Sequence, residues 1–290
     1  MASLIELTSD DHAMTNAINM RQIATEYLKD LDVPFESDND GVDFLNALQS
    51  AHIAKYSFNS LAVVLGQSIS LDLPDIFNKI VQKHRGGYCF EHNKLLQHVL
   101  SELGFEVRLL LARVVYNRDV DSPRTHRMMI VSLNGSDYIV DAGFGHFGAR
   151  YPVKIELGLD QDQGDARYRI ITNTRGDHCY QIFKDGDFFT LYTFNLERYA
   201  ESDCLLGHFY SHQSPDAAFV NNLVVCRKHF NNIQSLRNAE LHQIRDGETQ
   251  TTTIESAAQL HSILLDIYEL DVDIAVSEFL FSKFISKSSF

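Results

Sequence analysis

The spacing of apolar residues changes at Gly104, and this change constrains the fold more than any other feature. Before it, one series recurs at the intervals of an amphipathic helix: Met20, Ile23, Ala24, Tyr27, Leu28 and Leu31. A second series predicts a helix over residues 91–103 that ends at Gly104, and residues 75–83 resemble a shorter helix. We therefore expect the first part of the chain to be helical.

After Gly104 the chain is rich in β-branched and aliphatic residues. Asn134-Gly135 is a hairpin signal between two such runs. Strands are predicted over residues 106–116, 128–133, 137–142, 167–172, 178–183, 188–194, 223–230 and 241–245, and a helix over 254–270. The sequence thus predicts an α+β chain with helices first, antiparallel sheet next and a smaller mixed unit last.

The charge balance restricts the partners. Lys and Arg number 25 against 39 for Asp and Glu, a net charge of −14, which disfavours a nucleic-acid partner. An anionic ligand would need a local basic patch, which the sequence does not locate. The start, MASLIELTSDD, does not resemble a secretory signal, and no apolar run approaches the ~20 residues that span a bilayer. The four cysteines are widely scattered, so we expect reduced thiols and a cytoplasmic location without membrane partners.

Cys89 is the best candidate for a reactive residue. It follows Gly86 and Gly87, which allow close backbone approach, and it precedes a predicted helix. The start of a helix stabilises negative charge and therefore favours a thiolate. Burial statistics for cysteine alone favour the alternative, a thiol that packs as a small apolar group.

A nucleophilic thiol needs a base, and the base needs a group that orients it. His126 lies at the mouth of the strand predicted over residues 128–133, and Asp141 lies at the end of the strand that returns from Asn134-Gly135. Because the hairpin brings these two ends together, we expect His126 beside Asp141. Taken separately, His126 resembles a surface histidine and Asp141 a turn residue; the joint arrangement is what indicates catalysis.

Three segments, RGGYCFEHN, THRMMIV and VDAGFG, resemble in this order the Cys, His and Asp motifs of the arylamine N-acetyltransferase family. The resemblance continues through residues 80–114 and 191–203 and covers most of residues 15–230, whereas the C-terminal sixth is less diagnostic. Two departures are Phe58-Asn59-Ser60-Leu61, where the family commonly has Phe-Glu-Asn-Leu, and residues 27–31, which lack the usual Arg-Ile-Gly.

The resemblance implies a cysteine-protease-like Cys-His-Asp core with Cys89, His126 and Asp141 as catalytic residues. It also implies acetyl-CoA as co-substrate, an aromatic amine or hydrazine as acceptor, no metal, and Phe58 and Phe144 as acceptor-pocket aromatics. The implied domains are a helical N-terminal domain (residues 1–85), an antiparallel β-barrel-like domain (86–200) and a C-terminal α/β lid (201–290). The residues that bind coenzyme A stay unassigned.

Four other interpretations deserve comparison. A Cys-His-Asp hydrolase or transglutaminase would use the same chemistry in the same chain order. A non-catalytic binding protein could keep the fold. Residues 143–148 match G-x-G-x-x-G, but a hairpin precedes them and no helical period follows, which disfavours a dinucleotide site. His208 and His212 are four residues apart without a third metal ligand, so we interpret them as solvated surface histidines.

Overall fold

The computed structural model describes residues 9–35 and 41–286, with side chains described from Met20 onward. Two short helices, Leu73–Phe77 and Ala257–Ser262, each continue into a wider π-helical turn, at Asn78–Gln82 and Ile263–Ile267 respectively. The helices are α1 Ser9–Leu31, α2 Gly41–Lys55, α3 Leu61–Val64, α4 Leu73–Phe77, α5 Cys89–Glu102, α6 Glu201–Gln213, α7 Ala218–Asn221, α8 Ala257–Ser262 and α9 Ile274–Phe284. None of the helices in the described ranges is both long and apolar enough to cross a bilayer.

The strands come in two groups along the chain. All strand pairs within the two sheets are antiparallel. The strands are β1 Phe58–Asn59, β2 Glu106–Val114, β3 Arg124–Leu133, β4 Ser136–Val140, β5 Val153–Lys154, β6 Gln161–Asp162, β7 Arg167–Thr172, β8 His178–Lys184, β9 Asp187–Phe194, β10 Val224–His229, β11 Asn232–Arg237, β12 Glu240–Arg245 and β13 Glu248–Thr253.

A helical core forms the first layer, as the apolar spacing predicted. Ile23, Ala24, Tyr27 and Leu31 of α1 are buried together with apolar residues of α2 and α5. Met129, Val131 and Val140 of the β3–β4 hairpin belong to the same core. This packing presses α5, which begins at Cys89, against the hairpin that joins His126 to Asp141.

The middle layer is an eight-stranded sheet in the order β5-β4-β3-β2-β9-β8-β7-β6. It curls into a nearly closed barrel around a core that includes Ala112, Met128 and Tyr192. The β3–β4 turn has positive φ at Asn134 (51°) and Gly135 (72°), the conformation for which Asn-Gly is favoured. The α+β class with a barrel-like middle is therefore confirmed.

A second, five-stranded sheet has the order β1-β10-β11-β12-β13 and packs against α8 and α9. Its first strand comes from the N-terminal half, where Phe58 pairs with Cys226. The helix predicted from residue 254 begins at Ala257, because the side chain of Ser256 caps it by accepting a hydrogen bond from the Gln259 N–H. The three domain boundaries stay a prediction.

Candidate active site

Cys89 is the first residue of α5, as its position in the sequence predicted. Glu91 fixes this helix start: its carboxylate accepts hydrogen bonds from the Tyr88 backbone N–H (3.2 Å) and from Lys79 Nζ (2.7 Å). The Cys89 side chain is buried, and its Sγ lies 3.5 Å from the Thr125 carbonyl oxygen. The sulfur is thus held against the strand that carries His126.

Gly86 allows the backbone that leads to Cys89 to pass close to Ser57. Its φ is +60°, and a Cβ there would lie 2.1 Å from the Ser57 carbonyl oxygen. Asn59, at one departure from the family pattern, donates from Nδ2 to the Arg85 carbonyl (3.0 Å) and accepts from the Leu61 N–H (3.1 Å). The close backbone approach predicted for the glycine pair is confirmed at Gly86.

His126 and Asp141 are neighbours, as the hairpin predicted. Their strands pair from Leu133↔Ser136 to Met129↔Val140, so both residues lie just beyond the last pair. The His126 Nε2–H donates to Asp141 Oδ2 at 2.6 Å. A β-bulge at this end of β3, opposite Ala112/Arg113, sets the direction of the imidazole. Because Nε2 is occupied by Asp141, Nδ1 is the nitrogen left for Cys89.

Asp141 is surrounded by residues that sequence reasoning missed. Its Oδ1 accepts from Asn93 Nδ2 (2.8 Å) and from the Gly143 N–H (2.9 Å), and its Oδ2 lies 3.4 Å from the Tyr192 hydroxyl. Gln49 Oε1 accepts from the Asp141 N–H at 3.0 Å. Asn93 could have been predicted from the sequence, because it lies four residues after Cys89 and so on the same helix face.

These contacts set the charge state of the imidazole. Burial would lower the pKa of His126, but the attraction and hydrogen bond of Asp141, with a smaller contribution from Cys89, raise that pKa to about 10. Burial would raise the pKa of Asp141, yet His126, Asn93 and the Gly143 N–H lower it. The geometry therefore favours an imidazolium facing the sulfur and an ionised Asp141.

We expect His126 to remain protonated well above its ordinary pKa of 6.5 in Cys89→Ala, where no sulfur can exchange the proton. Between pH 6.5 and the raised pKa of His126, the folded state then binds up to one proton more than the unfolded state, so the free energy of unfolding falls by up to about 1.4 kcal/mol per pH unit in that range. Histidine ¹⁵N NMR between pH 6 and 10 measures the titration.

Adding Asp141→Asn to Cys89→Ala supplies the control for this titration, because it removes the carboxylate while keeping the shape. The His126 signal should then titrate at a lower pH than in Cys89→Ala alone. Equal midpoints in the two proteins would show that Asp141 does not hold the proton on the imidazole.

The two predicted acceptor aromatics lie beside the triad. The Phe144 ring meets the His126 ring edge-on at 5.0 Å, and Phe58 is buried in the apolar cluster that contains Cys89. Phe219, on α7, contacts the Phe58 ring edge-on, with 5.8 Å between the ring centres. An apolar, aromatic surface therefore borders the sulfur and the imidazole.

The solvated surface position predicted for His208 is wrong. His208 is 7% exposed, its Nδ1 accepts from the Tyr88 hydroxyl, and its Nε2 donates to the Ile69 carbonyl (3.2 Å). His212 is only half-buried, with its ring 4.2 Å from that of His208. Among the side chains of residues 20–35 and 41–286, no three potential metal ligands converge.

The other three cysteines are buried, consistent with the packing roles predicted for them. Burial raises the pKa of the Cys204 thiol to about 11 and that of Cys226 to about 12, and it also raises the pKa of Cys179. These thiols are therefore protonated and unreactive at neutral pH.

A basic cluster that the sequence did not locate lies around His146. Burial, and then the positive charges of Lys228, His242, Lys184 and Arg237, lower the pKa of His146 to about 4. Arg237 also acts on Tyr116, whose ring lies 6.0 Å from that of Phe144. Because Phe144 contacts His126, the rings of Tyr116 and Phe144 connect this cluster to the triad.

Known proteins resemble this chain over most of its length. The profile of the N-acetyltransferase family matches residues 41–277. The arylamine N-acetyltransferase of Mycolicibacterium smegmatis is 35% identical over 79% of this chain and 85% of its own. The arylamine N-acetyltransferase of Escherichia coli K12 is 33% identical over 80% of this chain and 83% of its own.

Solved structures agree. The arylamine N-acetyltransferase of Mycobacterium marinum in complex with CoA superposes with a TM-score of 0.83 at 28% identity, covering 90% of this chain and 99% of that one. Extent of match, fold and sequence identity lead to the same assignment. The chain therefore belongs to the arylamine N-acetyltransferase family.

Proposed function

We propose that the enzyme transfers an acetyl group from acetyl-CoA to the nitrogen of an arylamine, arylhydrazine or hydrazide by a ping-pong mechanism through acetyl-Cys89. The observation that carries this proposal is the buried imidazole of His126, hydrogen-bonded to Asp141 on one side and contacting Cys89 on the other. Such a group can move a proton to and from a nucleophile.

In the first half-reaction the Cys89 thiolate attacks the carbonyl carbon of acetyl-CoA. The C–S bond to CoA breaks as the bond to Cys89 forms, and the CoA sulfur takes the proton of His126 and leaves as a thiol. His126 is then a neutral imidazole. In the second half-reaction the amine nitrogen attacks acetyl-Cys89, His126 accepts the amine proton, and the sulfur leaves. Asp141 stabilises the imidazolium before Cys89 is acetylated and again once His126 has accepted the amine proton. The Cys89 backbone N–H, at the start of α5, is our candidate oxyanion donor.

The acceptor and the donor would approach from aromatic and basic surfaces respectively. Phe58 and Phe144 border the sulfur and the imidazole and suit a flat aromatic amine. Lys184 and Arg237 supply the positive charge that CoA phosphates require in a chain of net charge −14. The marinum relative, whose structure contains CoA, supports the donor. A cytoplasmic location fits such a donor and remains an expectation.

The direct test is the intact mass of the purified protein after brief incubation with acetyl-CoA alone. The wild type should gain one acetyl group and lose it when an aromatic amine or hydrazide is added. Cys89→Ala should gain none. Cys204→Ala is the matched control and should behave as the wild type, because its protonated thiol cannot react.

No mass gain in the wild type would reject acetyl-CoA as donor. Hydrolysis of a chromogenic peptide that requires Cys89 and ignores acetyl-CoA would instead support the hydrolase alternative. A Cys89 thiol that is alkylated no faster than the other three would support a non-catalytic binding protein.

A further inference from the structure

Three arginines line a groove of about 550 Å³ between the barrel and α6. Arg113 lies near the end of β2, Arg124 begins β3, and Arg198 precedes α6. The groove is distinct from the basic cluster around His146, since it shares no residue with that cluster.

The bulge in the β2–β3 ladder separates this groove from the triad. Ala112, paired with His126, is buried in the barrel core, whereas Arg113, paired with Arg124, is the next residue along β2 and so points to the opposite face. His126 therefore faces the inside of the barrel mouth while Arg113 and Arg124 face the outside. The groove is a second site on the other face of the same ladder.

The positive charge of the groove is not neutralised within the described residues. None of the three guanidinium groups lies within 4.0 Å of a carboxylate oxygen among them. Asp203, the one carboxylate lining the groove, instead accepts from the Ala200 N–H at 2.8 Å. Three unpaired cations repel one another, and the attraction of each to an anion bound in the groove would offset this repulsion.

The remaining wall is apolar and partly uncovered. Leu206, on α6, is 74% exposed, and Tyr199 lies under the Arg124 guanidinium at 5.5 Å. Gly207 allows α6 to come this close, since a Cβ there would lie 2.5 Å from the Arg124 carbonyl oxygen. Tyr210 also lines the groove. Arginines beside an exposed leucine and two tyrosines suit a ligand that has both an anionic and an apolar part.

We propose that this groove binds a small organic anion with an apolar or aromatic body, at a site separate from the acetyl-transfer site. Its carboxylate or phosphate oxygens lie between Arg113 and Arg124, where planar guanidinium groups can bind them with two hydrogen bonds each. Its body packs against Leu206 and Tyr210. Arg198, at the rim, attracts the anion from solvent.

Isothermal titration calorimetry with 1-naphthyl phosphate and 2-naphthoate tests the site, because neither probe has an amine that could be acetylated. We expect one binding site that weakens with added salt, and no binding of neutral 2-naphthol. The tighter of the two anions identifies the natural headgroup as phosphate or carboxylate. Arg113→Gln/Arg124→Gln should weaken binding at least about tenfold, as expected for the loss of charge-assisted bonds.

Two variants keep the result independent of folding and of the proposed reaction. Leu206→Glu changes an exposed side chain, so the fold should persist while the new charge repels the anion and weakens binding about tenfold. Arg245→Gln, at the exposed end of β12, is the control and should bind as the wild type. Cys89→Ala should bind both probes normally, so a failure of acetyl transfer does not affect this test.

Unchanged affinity in Arg113→Gln/Arg124→Gln and in Leu206→Glu would reject the groove as the binding site. Absence of measurable heat for both anions would also reject it. Full displacement of the bound probe by one equivalent of CoA would reject a separate site, because the groove would then belong to the donor site.

Discussion

Asp141→Asn is expected to lower kcat/KM for acetyl transfer about 10⁴-fold, with the fold intact. The reason lies in the contacts of Oδ1, which accepts from Asn93 Nδ2 and from the Gly143 N–H. An asparagine amide would keep its oxygen toward these two donors. Its NH₂ group would then face His126 Nε2, where the carboxylate now accepts.

The consequence is a change of tautomer. An imidazole that accepts at Nε2 carries its proton on Nδ1, the nitrogen left for Cys89. It can neither accept a proton from the thiol nor remain positively charged beside the sulfur. The loss therefore falls on proton transfer in both half-reactions, and we expect kcat to fall far more than KM changes.

The measurement is steady-state acetylation of an aromatic amine by wild type and variant, with the rate of acetyl-Cys89 formation followed by intact mass. Asp137→Asn is the matched control, because Asp137 lies on β4, the strand that leads to Asp141, but accepts a hydrogen bond from Ser132 Oγ (2.6 Å). It should retain activity within about threefold, as expected for a surface change. A fall of less than tenfold in Asp141→Asn would contradict a role for Asp141 in holding the tautomer.

The hairpin and the helix start made the triad predictable. Asn134-Gly135 fixes the β3–β4 register, and this register brings His126 close to Asp141. The amphipathic period of α1 likewise predicted its buried face. Both signals are local, because the turn residues and the apolar spacing lie in the same segments whose structure they predict.

The contacts that hold the triad in place could not be predicted in this way. Gln49 bonds to Asp141 from 92 residues away, and Tyr88 bonds to His208 from 120 residues away. No local period encodes such pairs, because they depend on how the layers pack. The exposure predicted for His208 was wrong for this reason: α6 has polar residues on both sides, and only its packing against Phe90 and Tyr88 shows which side is buried.

Strand β1 shows the same limit. A strand of two residues is too short to show the alternation of apolar and polar residues that predicts a strand. Phe58 and Asn59 nevertheless pair with β10 and hold the second sheet against the helical core. The loop that leads to Cys89 is hydrogen-bonded to the same segment, since the Asn59 N–H donates to the Gly87 carbonyl at 2.7 Å. The position of the nucleophile thus depends on the region around Ser57.

Gly86→Ala tests this dependence and should be among the most damaging single changes in the chain. Its Cβ would lie 2.1 Å from the Ser57 carbonyl and 2.6 Å from Asn59 Nδ2, at a φ of +60°. Relief of this clash must move the loop away from β1 and carry Cys89 with it. We expect a loss of roughly 3 kcal/mol or more in the free energy of unfolding and a loss of acetyl-Cys89 formation.

Gly66→Ala separates the clash from the cost of the backbone conformation. Gly66 has nearly the same φ, +65°, but a Cβ there would meet nothing within 4 Å. It should cost only about 1 kcal/mol, the penalty of a left-handed non-glycine residue, and leave acetylation unchanged. Chemical denaturation and intact mass after acetyl-CoA compare the two variants. If both lost the same stability and Gly86→Ala were acetylated normally, contact with Ser57 would not position Cys89, and the helix start at Tyr88 and Glu91 would have to do so alone.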